Sequence, residues 1–279
     1  MHGKGIIGAI VGDIVGSIYE RSGFRTKDFN FEMFKGGSKP TDDTVMSLAV
    51  AEWLMGGPNE ENGYLVNCMQ RIGNDPDLGI VGYGGMFRKW LMERNPKPYG
   101  SYGNGAPMRV SPVGWFTCIT DKGALLARQT AEVSHNAEEA VRSAILVARL
   151  IILCRQSKTL SEAKEIILRE SKETFPDFDF CQTPEDIRPG YSFKVRCNEC
   201  VPECMVCILH SNSYEEVIRN AVSLGGDADT MACISGSIAC ACPGMEVPGW
   251  MEIKALERLH PHLRDIYDRW EDFLVKNNI

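Results

Sequence analysis

Residues 137–154 read AEEAVRSAILVARLIILC, and this stretch carries the strongest helical pattern in the sequence. Its apolar residues recur every three or four positions, which places them on one face of an α-helix that packs against a core. That face comprises Ala140, Val141, Ala144, Ile145, Ala148, Ile151 and Ile152. Asn136 and Glu139 have the spacing of a capping box, which predicts that the helix begins directly after Asn136.

The same periodicity recurs along the chain of 279 residues, and Gly- and Pro-rich loops separate its occurrences. Alternating β-branched runs bounded by turns, which are typical of strands, are nearly absent. We therefore predict an all-α protein, a compact helical bundle in which a single domain spans residues 1–279. Further helices are predicted at 5–20, 44–55, 160–171, 202–211, 214–223, 230–242 and 262–276.

The first predicted helix carries glycines at positions 8, 12 and 16. Because residues four apart share a helix face, this stripe predicts that another helix approaches closely. The same helix would carry Asp13 and Glu20, seven residues apart, on one face. Acids in so apolar a helix are buried with partners, are directed into a cleft, or belong to a solvated face.

The overall charge and composition exclude some classes of function. A net charge of −7 at pH 7 does not favour general binding to nucleic-acid backbones. Residues 6–18 resemble a short signal core, but Asp13 interrupts them and no small-residue cleavage site follows. The 11 cysteines, an odd number, favour free thiols in a reducing compartment. We therefore expect a cytoplasmic protein. We expect no membrane span, because no stretch reaches the ~18 apolar residues that one requires.

Two acidic motifs stand directly before predicted helices, TDDT at 41–44 and GGDADT at 225–230. Thr and Asp are common helix N-caps, so capping is the simpler interpretation of each motif. Two adjacent carboxylates exceed what a cap requires, however, and they repel each other unless a cation lies beside them. If the fold brings both motifs together, we expect their oxygens to hold a hard cation, Mg²⁺ or Mn²⁺, rather than zinc.

Four long loops are predicted, and long ordered loops on a helical scaffold usually carry binding functions. They span 21–41, 73–85, 95–114 and 174–198. The glycines of YGSYGNGAPMR at 99–109 would let backbone N–H groups approach a phosphate, although a plain flexible turn is the alternative. GYGG at 82–85, which includes Gly84 and Gly85, forms a second candidate loop of this kind. His135, just before the 137–154 helix, is either structural or a ligand contact.

Five motifs in this order resemble the ADP-ribosylglycohydrolase family, and the resemblance runs from about residue 5 to residue 242. They are GDIVGSIYE at 12–20, TDDTVMSLA at 41–49, GSYGNGAPMRVSPVGW at 100–115, SHNAEEA at 134–140 and SLGGDADTMACISG at 223–236. The resemblance implies a compact all-α fold with two Mg²⁺ or Mn²⁺ ions in a cleft. The metal ligands that it implies are Glu20, Thr41, Asp42, Asp43, Asp227, Asp229 and Thr230.

The resemblance also implies a reaction, hydrolysis of the glycosidic bond between ADP-ribose and its acceptor. His135 would contact the ligand, and one loop would surround the diphosphate and distal ribose, through Gly100, Ser101, Tyr102, Gly103 and Asn104. The general base remains open among Glu20, Asp42, Asp43 and Asp227. The acceptor remains open too, since arginine, serine, a nucleobase and O-acetyl-ADP-ribose are all compatible with such a site. An inert ADP-ribose binder or structural protein, and another metal-dependent nucleotide hydrolase, are the alternatives.

Four cysteines, Cys197, Cys200, Cys204 and Cys207, form two C-x-x-C pairs that could hold zinc or an iron–sulfur cluster. Pro202, however, is typical of the first position of a helix. A helix there would carry Cys204 and Cys207 as small apolar residues of its buried face. We therefore expect buried thiols at these positions rather than a second metal site.

Overall fold

Helices form the regular secondary structure of the protein in the residues that its computed structural model describes, 5–58, 62–79 and 81–278. The all-α prediction is confirmed. The helices are α1 (Ile7–Gly16), α2 (Asp42–Met55), α3 (Gly63–Gly73), α4 (Gly85–Met92), α5 (Ser111–Phe116), α6 (Thr120–Glu132), α7 (Glu138–Gln156), α8 (Leu160–Thr174), α9 (Pro184–Ile187), α10 (Val201–Leu209), α11 (Tyr214–Ser223), α12 (Ala228–Ala239), α13 (Gly249–Leu256) and α14 (Pro261–Lys276). Short 3₁₀ turns lie at Pro76–Leu78, Pro107–Arg109 and Cys197–Glu199. None of the helices in these ranges has the combination of length and apolarity that a membrane span requires.

Each of the eight predicted helices is present, although the ends differ by several residues. The sequence did not reveal α3, α4, α5, α6, α9 and α13, most of which are short and begin or end at Gly or Pro. The predicted loop at 95–114 contains a 3₁₀ turn and the start of α5, and the loop at 174–198 contains α9. Helix α1 ends at Gly16, so the prediction that Asp13 and Glu20 share one helix face was wrong.

Side-chain caps begin some of the helices, as their sequences require. Ser213 Oγ accepts a hydrogen bond from Glu216 N at the start of α11, which satisfies one of the free N–H groups of the first turn. The capping box predicted for α7 was wrong, because the helix starts one residue later, with Ala137 as its N-cap. Asn136 Oδ1 instead accepts a hydrogen bond from Gly100 N, 2.8 Å away, in a different loop.

Helix α1 lies in the centre of the molecule, and each of its residues is buried. Its glycine stripe packs directly on the backbone of α12. A Cβ atom at Gly12 would lie 2.1 Å from the carbonyl oxygen of Ala232, and one at Gly16 would lie 2.4 Å from that of Ala228. The predicted close approach is therefore confirmed, and it brings the end of α1 against the GGDADT motif at the start of α12.

Candidate active site

A cavity of about 610 Å³ opens where the segment after α1 and the starts of α2 and α12 meet three of the long loops. All the site residues predicted from sequence line this cavity except Thr41. The predicted residues are Glu20, Asp42, Asp43, Gly84, Gly85, Gly100, Ser101, Tyr102, Gly103, Asn104, His135, Asp227, Asp229 and Thr230. The fold thus brings both acidic motifs and both glycine-rich segments to one place.

The carboxylates form two groups that share one member, Asp229. In the first group, an oxygen from each of Asp13, Asp43 and Asp229 lies within 4.8 Å of the others. In the second, oxygens of Glu20, Asp227 and Asp229 lie within the same limit. Each group could hold a cation, and Asp229 is common to both groups.

The TDDT motif does not cap its own helix. Thr41 is the N-cap residue of α2, but its side chain accepts no hydrogen bond from the first turn. Its hydroxyl instead donates to Asp13 Oδ1 at 2.6 Å, and its N–H donates to Asp13 Oδ2 at 2.9 Å. Asp13 Oδ2 also accepts hydrogen bonds from Thr44 N, at 3.0 Å, and from the Thr44 hydroxyl. An acid of α1 therefore caps α2, and this leaves Asp42 and Asp43 directed at the cavity.

Asp43 lies at the bottom of the carboxylate cluster, where it is 1% exposed. Its Oδ2 accepts a weak hydrogen bond from Thr230 Oγ1, at 3.3 Å, and lies 3.4 Å from Thr41 Oγ1, whose hydrogen is already donated to Asp13. Its Oδ1 is buried and has no hydrogen-bond partner. A buried carboxylate oxygen without a donor is costly, and a cation is the partner that such an oxygen lacks here. The residues present therefore fit a metal ion, and their all-oxygen donor set favours a hard one.

The electrostatics of the cluster point in the same direction. Burial and the charges of Asp13 and other neighbouring acids raise the pKa of Asp42 to about 7. Burial raises the pKa of Asp13 and that of Asp227 to about 6. Burial and the charges of neighbouring acids hold the pKa values of Asp43 and Asp229 well above the usual range. Without a cation, these crowded acids retain protons at pH values where an exposed aspartate is ionised.

The glycine-rich loop is held from two sides. Asn104 Nδ2 donates to Asp227 Oδ2 at 2.7 Å, which links the loop to the acidic cluster. The N–H of Asn104 donates to the carbonyl of Val195, 2.8 Å away, in the 174–198 segment. The amides of Gly100 and Gly103 are engaged within the protein, the latter with Ser101 Oγ. The loop is therefore ordered by its neighbours before any ligand binds.

His135 lines the same cavity and is 6% exposed. Its ring lies 5.5 Å from that of Tyr99 and 5.9 Å from that of Phe87, measured between centroids. Burial, and secondarily the charge of Arg109, lowers the pKa of His135 well below its usual range. The imidazole is therefore neutral at physiological pH.

Several residues of the cavity wall were not predicted from the sequence, among them Phe87, Arg109, Phe193 and Val195. Phe193 and Val195 belong to the loop at 174–198. This loop was predicted to carry a binding function, but its sequence contains no recognisable motif. An isolated bridge between Gly103 and Arg196 places this loop beside the glycine-rich one. No local signal could have revealed a pairing between segments so distant along the chain.

Among the described residues, the groups whose ligand atoms lie close enough together to share an ion contain carboxylates and one histidine but no cysteine. Cys197, Cys200, Cys204 and Cys207 are all buried, and burial raises the pKa of each thiol. Helix α10 begins at Val201, so Pro202 occupies its second position rather than its first. The expectation of buried thiols agrees with this arrangement.

Comparison with known proteins relates the whole chain to one family. The sequence profile of the ADP-ribosylglycohydrolase family matches residues 4–276. The chain is 27% identical over 308 residues to ADP-ribosylhydrolase ARH3 of Bos taurus, covering 86% of this chain and 84% of that protein. It is 25% identical over 297 residues to ADP-ribosylarginine hydrolase Tri1 of Pseudomonas putida (strain GB-1), covering 95% and 77%. A solved ADP-ribosylglycohydrolase-related protein complex shares the fold, with a TM-score of 0.72 at 20% identity over 98% of this chain and 96% of that one.

Proposed function

This chain belongs to the ADP-ribosylglycohydrolase family, and from that premise we propose that it uses two divalent cations to release ADP-ribose from an acceptor. The observation that carries this proposal is the sharing of Asp229 between two carboxylate groups. The unpartnered Oδ1 of Asp43 supports it, because a bound cation would satisfy this oxygen. The relatives named above are hydrolases of ADP-ribosylated substrates by name, which supports the same reaction.

The cations that we propose are Mg²⁺ or Mn²⁺, since each donor at the site is an oxygen. Asp43 and Asp229 would hold one ion, and Glu20, Asp227 and Asp229 would hold the other. Bound there, such ions would orient the vicinal hydroxyls of the distal ribose and increase the acidity of a water molecule. Asp42 and Thr230 also line the cavity beside these positions, which supports a role for them as ligands. Thr41 does not line the cavity, and its hydroxyl and N–H both donate to Asp13, so we propose that it supports the acidic cluster through Asp13.

For the general base, we narrow the four candidates to Glu20 and Asp42. Both line the cavity and are partly exposed, so water and substrate can reach them. Asp43 is almost fully buried, and Asp227 accepts a hydrogen bond from Asn104. Loss of a general base typically costs about 10²- to 10⁴-fold in rate. We expect one of Glu20→Gln and Asp42→Asn to lower kcat by such a factor.

For the substrate, we propose that the loop at 100–104 surrounds the diphosphate and distal ribose, and that Gly84 and Gly85 form the facing edge. A Cβ at Gly84 or Gly85 would meet no atom within 4 Å, so there is room for a ligand at this edge. Tyr102 is 52% exposed at the rim and offers an aromatic face. Cation-bound carboxylates and neutral groups would thus hold an anionic ligand without a broad basic surface.

The acceptor group would be selected at the rim. Phe193 contributes an aromatic face there, and the Arg25 guanidinium lies over its ring, 4.3 Å from the centroid. Arg25 Nε donates to the carbonyl of Glu20 at 3.2 Å, which connects the rim to a proposed metal ligand.

We also propose that residues 1–279 act as one domain in a reducing cytoplasm, on the basis of one hydrophobic core and an odd number of cysteines.

A panel hydrolysis assay tests the proposed reaction. The protein is incubated with ADP-ribosyl-arginine, ADP-ribosyl-serine, ADP-ribosylated DNA bases and O-acetyl-ADP-ribose, with Mg²⁺, Mn²⁺ or EDTA. We expect free ADP-ribose from at least one substrate, and we expect EDTA to abolish its release. Tight binding of ADP-ribose by calorimetry without release from any substrate would replace the proposal with an inert reader. Release that is insensitive to EDTA would remove the cations from it.

A further inference from the structure

A buried chain of hydrogen bonds runs from Arg109 through Ser134 to His135 behind the cavity wall. Arg109 Nη2 donates to Ser134 Oγ at 2.8 Å and to the carbonyl of Thr130 at 2.7 Å. Ser134 Oγ lies 2.8 Å from His135 Nδ1. Arg109 and Ser134 are both fully buried, so water does not compete for these contacts. The chemistry of the three groups restricts where the protons can be.

A guanidinium has only N–H donors and no acceptor, so the Ser134 oxygen must accept the bond from Arg109. The single hydroxyl hydrogen of Ser134 is then free to point at His135 Nδ1. If Nδ1 carried a hydrogen instead, the serine oxygen would face two donors, and its own hydrogen would have no acceptor in this chain of bonds. Leaving a buried donor without an acceptor is costly, so the hydrogen bonds favour the tautomer in which Nδ1 accepts.

We propose that Arg109 and Ser134 are positioning residues that fix His135 as the neutral tautomer with its proton on Nε2. The imidazole then offers a permanent N–H donor in the wall of the cavity. A Cβ at Gly105 would lie only 2.7 Å from Nε2, so the absence of a side chain at position 105 leaves the space that this nitrogen occupies.

The same geometry disfavours a charged imidazole at this position. Arg109 already supplies one positive charge beside the ring. Its Nε and Nη1 are buried without hydrogen-bond partners, so this charge is poorly compensated and would repel a protonated imidazole. A neutral donor can bind a phosphate or hydroxyl oxygen of the ligand without the cost of burying another charge. On the proposed function, on which this step rests, that oxygen belongs to ADP-ribose.

The tautomer can be read directly by nuclear magnetic resonance on the full-length protein labelled with ¹⁵N-histidine. Long-range ¹H–¹⁵N correlation spectra distinguish a protonated from an unprotonated ring nitrogen, and His135→Gln identifies the signals of this residue among the 5 histidines. We expect His135 to show a protonated Nε2 and an unprotonated Nδ1 without ligand. A protonated Nδ1 in the wild-type protein would overturn the proposal without any need for a further variant.

Ser134→Ala then tests the role of the serine. Without the hydroxyl, we expect the Nδ1-protonated tautomer to appear, and calorimetry should show about 10-fold weaker binding of ADP-ribose, equivalent to ~1.4 kcal/mol. Ser134→Thr, which keeps the hydroxyl, should restore both properties. Ser171→Ala is the matched control, because Ser171 is buried and its Oγ has no partner.

The possible failures can be told apart. An unchanged tautomer in Ser134→Ala would overturn the role of the serine, and a changed tautomer with unchanged affinity would overturn the role in binding. If the wild-type protein binds no ADP-ribose, the proposed function fails. The spectrum of His135 would still decide whether Arg109 and Ser134 set its tautomer.

Discussion

The carboxylate of Asp13 accepts both the hydroxyl and the backbone N–H of Thr41, at 2.6 and 2.9 Å. This contact joins the central helix α1 to the first turn of α2. Asp13 thereby accepts hydrogen bonds from N–H groups at the start of α2, which a local N-cap side chain usually satisfies. With two further bonds from Thr44, the carboxylate is largely saturated by donors. Asp13 therefore acts as a support for the acidic loop, although it belongs to one of the two carboxylate groups.

Asp13→Asn should weaken both the fold and the binding of cations. An amide has one acceptor oxygen in place of two, and its NH₂ group would meet the donors of Thr41 or Thr44. We expect a loss of ~2–4 kcal/mol in the free energy of unfolding and at least 10-fold weaker binding of Mg²⁺ by calorimetry. Asp179→Asn, in an exposed turn where Asp179 accepts one bond from Cys181 N, should change neither quantity. Normal Mg²⁺ affinity in Asp13→Asn would contradict the supporting role.

Asp229→Ala should abolish hydrolysis while the helical circular dichroism stays largely intact, because it removes the carboxylate that both groups share. The wild-type protein should be stabilised by its ion, by ~2.7 kcal/mol at a concentration 100 times the Kd. This stabilisation should be absent from the variant in a thermal unfolding series with Mg²⁺ and Mn²⁺. Asp77→Ala, in a surface group with Asp75 and His262, is the control. Wild-type turnover in Asp229→Ala would remove the metal hypothesis.

Gly12→Ala should destabilise the protein strongly, because its Cβ would lie 2.1 Å from a backbone oxygen of α12. The two helices would have to move apart, which typically costs ~1–3 kcal/mol or more for overpacking in a core. A Cβ at Gly36 would meet no atom within 4 Å, so Gly36→Ala should leave stability nearly unchanged. Urea unfolding curves measure both variants, and equal midpoints would disprove the close helix contact.

The neutral His135 should make stability depend on pH. Its pKa is lowered in the folded protein, whereas the unfolded chain has the ordinary value of ~6.5. Below that pH the unfolded state binds a proton that the folded state refuses. The free energy of unfolding should therefore fall by up to ~1.4 kcal/mol per pH unit until the folded pKa is reached.

His135→Gln removes this proton linkage, so the stability of wild type relative to this variant should decrease as pH falls from 7.5 to 5. His262 provides a control of opposite sign, because its hydrogen bond to Asp75 raises its pKa. Wild type should therefore gain stability relative to His262→Gln over the same range. Urea unfolding at the two pH values measures both differences. Parallel pH profiles for wild type and His135→Gln would show that the folded protein accepts the proton.

Elemental analysis of the purified protein tests the cysteine interpretation. We expect Mg or Mn after exchange into the corresponding salt, and little zinc or iron, since the four thiols of 197–207 are buried and their pKa values are raised. Only thiolates bind such metals well, and burial in apolar surroundings opposes their formation. One equivalent of zinc or iron per chain would assign these cysteines a second metal site.

The sequence predicted individual features best where the signal was local. The stripe of glycines in α1 and the apolar face of α7 were readable because residues three or four apart share a helix face. The capping box assigned to Asn136 failed for the converse reason. The side-chain oxygen of Asn136 accepts a hydrogen bond from the N–H of Gly100, which lies 36 residues away in the chain.

The helical class, and the acids and glycines of the candidate site, could be identified from the sequence alone, because they depend on residue type and on neighbours along the chain. Which acids lie together could be seen only in the folded protein. Asp43 and Thr230 come into contact across 187 residues because α1 packs on α12 without intervening side chains and its Asp13 binds the start of α2. The tertiary structure also gave Asp13 its supporting role and placed Phe193 at the rim. Such contacts follow from the packing of whole helices, for which a single stretch of sequence carries no periodic signal.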